Sequence, residues 1–218
     1  MKKDFSEIVC IVDKSGSMGS IVNDAIGGFN TFIKAQQDLP GAANVTLVLF
    51  DTSYNIMVNG ENLKEFPELT KRTYVPGGGT ALYDAIGKAI NVVGKRLSDT
   101  PEAERPEKVI FGILTDGEEN SSREFDKDKI MEMISHQKAT YSWEFVFLAA
   151  NQDAMAAGGS IGISANDTFN FAATGVGVKK GYVNMTRSLG AYRGADSESI
   201  ASAIDDNFGD IDNGGSDN

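Results

Sequence analysis

Ile8-Val9-Cys10-Ile11-Val12-Asp13-Lys14-Ser15-Gly16-Ser17 is the stretch on which the fold turns. The first five residues form an unbroken apolar run with the β-branched content of a strand buried on both faces. A carboxylate and two hydroxyls follow at alternate positions, Asp13, Ser15 and Ser17, with Gly16 between the hydroxyls. A loop of this kind at a strand end is tight, and its oxygens can converge on one point. Convergent hard oxygens suit a hard divalent cation. Alone, the pattern is equally that of a turn into a helix with Asp13 or Ser17 as N-cap.

Two later elements decide between these readings. Pro76-Gly77-Gly78-Gly79-Thr80 precedes the helical run from Ala81 to Ile86, and the apolar run from Lys108 to Thr115 ends in Asp116-Gly117-Glu118-Glu119-Asn120. Asp-x-Ser-x-Ser, a threonine in a glycine-rich loop, and Thr-Asp-Gly after a hydrophobic strand together resemble the metal-ion-dependent adhesion site of von Willebrand factor type A domains. Alternating strands and helices extend the resemblance to about Arg193. The segment from Gly181 to Arg193 further resembles the last helix of small intracellular bacterial and phage members.

The resemblance implies a three-layer, Rossmann-like α/β fold: a mostly parallel six-stranded sheet with one antiparallel edge strand, and helices on both faces. It implies a domain over residues 1–193, and the acidic, glycine-rich composition beyond it reads as a flexible tail over 194–218. It also implies that Ser15, Ser17 and Thr80 ligate a metal through their hydroxyls. Asp13 and Asp116 then act largely through bound water or by exchange into the first shell. Neutral hydroxyls leave a cation undercompensated, so a free position attracts a carboxylate from a partner protein. Mg²⁺ is the default ion because it prefers octahedral oxygen coordination and retains water, with Mn²⁺ next.

At 218 residues the chain suits one well-buried domain. Its apolar fraction of 41% and charged fraction of 23% are those of a water-soluble globular protein. No apolar run approaches the ~20 residues that span a bilayer. Asp4, Ser6 and Glu7 interrupt what would be the core of a signal peptide after Met1-Lys2-Lys3, so a cytoplasmic location is expected. The single cysteine, Cys10, reads as a small core residue. A net charge of -11 disfavours nucleic acid and anionic membranes as partners.

Taken in order, Ile21, Val22, Ala25, Ile26, Phe29, Phe32 and Ile33 recur at helical spacing, and Leu39-Pro40-Gly41 ends the pattern. Gly27-Gly28 inside it marks either a close backbone approach or a weak helix. Val45 to Phe50 reads as a strand, and Asp51-Thr52-Ser53 as the turn of a hairpin to an antiparallel edge strand, Tyr54 to Val58. Leu82, Ala85, Ile86, Ala89, Ile90, Val93 and Leu97 form the clearest helical stripe. Further strands are expected at Val109 to Leu114, Phe145 to Ala150 and Thr168 to Phe171. Helices are expected at Asp126 to His136, Asp153 to Ala157 and Val178 to Tyr192. Past Gly194 only Ile200, Ala203, Ile204 and Phe208 keep helical spacing among small and acidic residues, so disorder or a weakly held helix is expected.

Four of these strands end in Asp13, Asp51, Asp116 and Asn151. Parallel strands joined by right-handed crossovers bring their carboxyl ends to one edge, and ligands bind there where strand order reverses. Asp13 and Asp116 are expected to face each other across that crevice, with Thr80 delivered from above. The reading is of a binding module, not an enzyme. Its alternative is a metal-dependent hydrolase or phosphotransferase using the same acids. The only histidine, His136, falls on a remote helix, and the glycine-rich loop lacks the Lys-Ser/Thr of a phosphate-binding loop. An acidic tail ordinarily only solvates a protein. Tethered beside a site that seeks a carboxylate, it is also a candidate self-ligand, within one molecule or between neighbours.

Overall fold

A computed structural model describes residues 1–150 and 153–209. The chain runs β1 (Lys2–Asp13), α1 (Val22–Asp38), β2 (Ala42–Phe50), β3 (Tyr54–Asn62), α2 (Leu82–Asp99), β4 (Pro106–Thr115), α3 (Lys127–Tyr141), β5 (Glu144–Ala150), α4 (Ala154–Ser160), β6 (Thr168–Phe171), α5 (Gly175–Arg193) and α6 (Ser197–Phe208). The strands form one sheet in the order β3-β2-β1-β4-β5-β6. Every neighbouring pair is parallel except β2 with β3, the hairpin expected at the edge.

The pleat of β1 explains the three layers. Ile8, Cys10 and Val12 point to one face, where α1 and α5 cover them with Phe29, Phe32, Tyr182 and Leu189. Val9 and Ile11 point to the other, under α2 and α3 with Ile86, Ile90, Ile130 and Ile134. Cys10 lies fully buried in the first layer, where burial raises its thiol pKa. Trp143 and Phe145 stack on Phe111 in the second, as core and not as a surface platform.

The glycine pair in α1 has two different environments. Gly28 lies against the buried ring of Tyr182, which a Cβ would meet at 2.5 Å, whereas Gly27 has nothing within 4 Å. A close approach therefore accounts for Gly28 alone.

Of the two outcomes expected after Gly194, disorder or a helix, the chain forms the helix. Asp196 caps α6 by accepting from the Ser199 N–H at 2.8 Å, and Ile200, Ala203, Ile204 and Phe208 are buried against α1 and α5. Four apolar side chains at helical spacing outweigh the acidic composition, because the acids occupy the opposite, wet face. The packed structure therefore continues beyond Arg193 as far as Phe208. Asp210, Asp212 and Asp217 of the expected tail lie outside the described residues, as do Asn151 and Gln152. Among the described residues no helix is long and apolar enough to cross a membrane.

Candidate metal centre

Strand order reverses between β1 and β4, whose neighbours lead away to opposite edges. Val12 pairs with Leu114, so both strands reach the crevice together and deliver Asp13 and Thr115-Asp116 side by side. Asp13 is fully buried. Its Oδ1 accepts from the Ser15 N–H at 2.6 Å and its Oδ2 from the Thr115 hydroxyl, also at 2.6 Å. Those bonds turn the chain so that Ser15 and Ser17 face one side, their Oγ atoms 3.1 Å apart. Ser17 Oγ donates to Asp116 Oδ1 at 2.7 Å.

Thr80 arrives from the loop ahead of α2. Gly16 N donates to the Gly78 carbonyl at 3.1 Å and Gly77 N to the Lys14 carbonyl at 2.9 Å, which ties the glycine-rich loop to the serine loop. Gly78 has φ +69° and packs against Thr52, so a side chain is excluded there by both backbone and space. A Cβ placed at Gly117 would stand 3.1 Å from Thr80 Oγ1 and 3.7 Å from Ser17 Oγ, which locates both hydroxyls around the turn after Asp116. The structure thus brings Asp13, Ser15, Ser17, Thr80 and Asp116 to one place.

Several supporting residues were not evident from the sequence. Tyr74, buried, donates its hydroxyl to the Asp13 carbonyl at 2.5 Å and anchors the strand end. Lys14 forms an ion pair with Asp51, which also accepts from the Ser53 N–H and hydroxyl, so Asp51 neutralises the loop lysine. Burial opposes ionisation of Asp51, but the hydrogen bonds from Lys14 and Ser53 outweigh it and lower its pKa. The α2 helix has no side-chain cap of its own at Ala81. Instead Glu119 Oε2 accepts from Tyr83 N at 2.9 Å and Ser122 Oγ from Asp84 N at 3.0 Å, both from the loop after β4. Asp84 returns the bond by accepting from the N–H groups of Arg123, Glu124 and Phe125. A loop polar residue carries no period, so only the density of Glu, Asn and Ser after Asp116 hinted at this role.

The donor set fits a hard divalent cation. It consists of two carboxylates and three hydroxyls, all oxygen. The Ser15 and Ser17 hydroxyls are hydrogen-bonded at 3.1 Å, a separation that an octahedral ion with ~2.1 Å bonds and edges of about 3.0 Å could bridge without moving them apart. Ser17 gives its proton to Asp116 and accepts that of Ser15, which leaves at least one lone pair free on each hydroxyl oxygen. Burial pushes Asp13 up to about 6, against the lowering effect of the Thr115 and Ser15 donors, and burial likewise raises Asp116. Two carboxylates that resist ionisation side by side gain from a cation between them. Among the described residues no group of three or more His, Cys, Asp or Glu side chains is placed to hold a metal, so the hydroxyls distinguish this constellation from an acid-rich cage.

His136 lies by the amino-terminal ends of β4 and β5, away from the crevice, where its ring meets Tyr141 edge-on at 5.8 Å in a pocket shared with Trp143 and Pro106.

In sequence, the model of the von Willebrand factor type A domain matches residues 8–118, just over half of the chain. No curated protein matches. Among solved structures, proximal thread matrix protein 1 from the mussel byssus, with a zinc-occupied MIDAS motif, has a TM-score of 0.60 at 14% identity, covering 85% of this chain and 46% of that one. The PilB minor pilin from Streptococcus sanguinis has a TM-score of 0.58 at 13% identity, covering 85% and 61%. A von Willebrand factor type A protein from Catenulispora acidiphila has a TM-score of 0.55 at 15% identity, covering 86% and 42%. The chain spans less than two thirds of the length of each, and at such identities the likeness concerns the fold.

Proposed function

Since the chain belongs to the von Willebrand factor type A domain family, we propose that it is a metal-dependent protein-binding module. Asp13, Ser15, Ser17, Thr80 and Asp116 hold one divalent ion, Mg²⁺ or Mn²⁺, and a partner protein completes the site with an Asp or Glu carboxylate. The bound cation supplies the positive charge that captures this carboxylate. The observation that carries the reading is the Ser15-Ser17-Asp116 chain of hydrogen bonds, with the hydroxyl oxygens 3.1 Å apart, close to one octahedral edge, and the Ser17 proton directed to the acid. The zinc-occupied MIDAS motif of the byssus protein lends support, as a fold relative that holds a divalent ion.

The protein's own groups do the positioning. Thr115 and the Ser15 N–H orient Asp13, while Tyr74 fixes the peptide that carries it. Lys14 is neutralised by Asp51 and does not compete for the incoming carboxylate. The net charge of -11 favours proteins over nucleic acid as partners. We propose no turnover: His136 is at the far, amino-terminal end of the strands, and the Pro76–Thr80 loop lacks a phosphate-binding lysine.

Calorimetric titration with Mg²⁺ and Mn²⁺ tests the reading. Binding by the wild type is expected, with loss in Asp13→Ala and an unchanged far-UV circular dichroism spectrum. Failure of both ions to bind at millimolar concentration refutes it. Phosphate-ester hydrolysis that disappears in Asp116→Ala would instead favour the enzyme alternative.

A further inference from the structure

Both backbone polar groups of Thr80, its N–H and its carbonyl, are held by a single residue. Asn120 Oδ1 accepts from Thr80 N at 2.9 Å, and Asn120 N donates to the Thr80 carbonyl at 3.0 Å, assisted by Ser121 N at 3.2 Å. Ser121 Oγ donates to the same Oδ1 at 2.6 Å, which fixes the amide with its oxygen toward Thr80. The contact is close enough that a Cβ on Gly79 would meet Ser121 Oγ at 2.2 Å and Asn120 Oδ1 at 2.7 Å. Asn120 stands four residues after Asp116 on the same loop, and Glu119 secures that loop to the first turn of α2 through Tyr83 N.

We infer that Asn120 is a positioning residue of the metal centre: its two-sided clasp on the Thr80 peptide sets the distance between the Thr80 hydroxyl and Asp116, and so matches the centre to a small octahedral ion. The inference rests on the proposed metal reading. Its physical basis is that Thr80 and Asp116 come from separate loops with no covalent link nearby, so their spacing depends on cross-loop hydrogen bonds. Mg²⁺ demands near-ideal octahedral geometry, whereas Ca²⁺ tolerates variable coordination at longer distances. A clasp that fixes the spacing therefore governs the preference between the two ions as well as affinity. Loss of an outer partner of a metal ligand typically lowers metal affinity by about 10- to 100-fold.

The test is calorimetry on the full chain with Mg²⁺ and with Ca²⁺, alongside the melting temperature in chelator. Asn120→Ala is expected to weaken Mg²⁺ binding by about tenfold or more and to weaken Ca²⁺ less, narrowing the Mg²⁺ preference. Asn120→Asp keeps an oxygen acceptor at the same place and is expected to retain wild-type Mg²⁺ affinity or better. Gly79→Ala, which pushes the clasp open from the other side, is expected to reproduce Asn120→Ala, so the inference stays testable if the first variant folds poorly. Unchanged Mg²⁺ affinity and ion preference in a folded Asn120→Ala overturns the inference, as does an Asn120→Asp protein as weak as the alanine variant. A wild-type protein that binds neither ion removes the metal reading itself, a result separate from both.

Discussion

Replacing Arg96 by methionine should strand a buried carboxylate. The pleat that directs Val9 and Ile11 toward α2 directs Glu7 there as well, and Glu7 is 0% exposed. Its Oε1 accepts from Arg96 NH2 at 2.6 Å and from Thr46 Oγ1 at 2.8 Å, and its Oε2 accepts from Arg96 NH1 at 3.3 Å. Gly60 admits the guanidinium, which would stand 2.4 Å from a Cβ there. Removing one partner of a buried pair costs about 3–5 kcal/mol, because the remaining charge stays desolvated and unpaired. Arg96 keeps 25% exposure, so water can partly replace it and the low end, about 3 kcal/mol, applies. At about 2–4 °C per kcal/mol for a chain of this size, the melting temperature should fall by about 6–12 °C. Glu7→Leu/Arg96→Met removes both charges and should recover most of the loss, because Thr46 Oγ1 still accepts from Gly60 N at 2.9 Å. Thermal and urea unfolding of the three proteins in chelator measures this. A single variant within about 2 °C of wild type, or a double variant no better than the single one, refutes the reasoning.

Neighbouring glycines should respond with opposite sign. Gly27→Ala, facing open space, should stabilise α1 by up to about 1 kcal/mol. Gly28→Ala must displace the buried Tyr182 ring packed between Phe29 and Phe32, and overpacking of about 1–3 kcal/mol should exceed the propensity gain; urea midpoints that move together would contradict this. Asp84 provides the pH-dependent case: burial opposes its ionisation, but the N–H groups of Arg123, Phe125 and Glu124 prevail and lower its pKa. Its contribution is then present above the unfolded value of about 3.8 and lost as pH falls through the lower folded value. The stability gap between wild type and Asp84→Asn should therefore be full at pH 7 and close in acid, and a gap independent of pH would exclude a role for the charge.

The elements legible in the sequence were those whose physics is local or periodic. Ile8 to Val12 announced a strand buried on both faces, and Asp51-Thr52-Ser53 announced the hairpin that makes β3 antiparallel. The stripe from Leu82 to Leu97 fell within two residues of the helix observed. Asp13, Ser15, Ser17, Thr80 and Asp116, singled out through the family resemblance, stand together because each sits at a strand end or a glycine-rich turn on one side of the sheet. Tyr74, Asn120 and Glu119 were not legible, since each acts on a backbone group far away in sequence, and no spacing within one element encodes a partner in another.

The sequence after Arg193 left two readings open, disorder or a weakly held helix, for a different reason. Mean composition weighs every residue equally, whereas packing weighs only the face that meets the domain. On α6 that face is Ile200, Ala203, Ile204 and Phe208, and it closes over Leu39 and Gly190, where a Cβ on Gly190 would already meet Ile200 and Leu39 at 3.0 Å. Arg193 secures the turn into this helix by donating to the carbonyls of Gln36 and Gly41 at 2.6 and 3.3 Å. A buried guanidinium that satisfies the carbonyls at the end of α1 is a costly way to end a domain but an effective way to turn a chain back onto it. The acids of α6 thus serve solubility on one face while the other completes the α1–α5 layer.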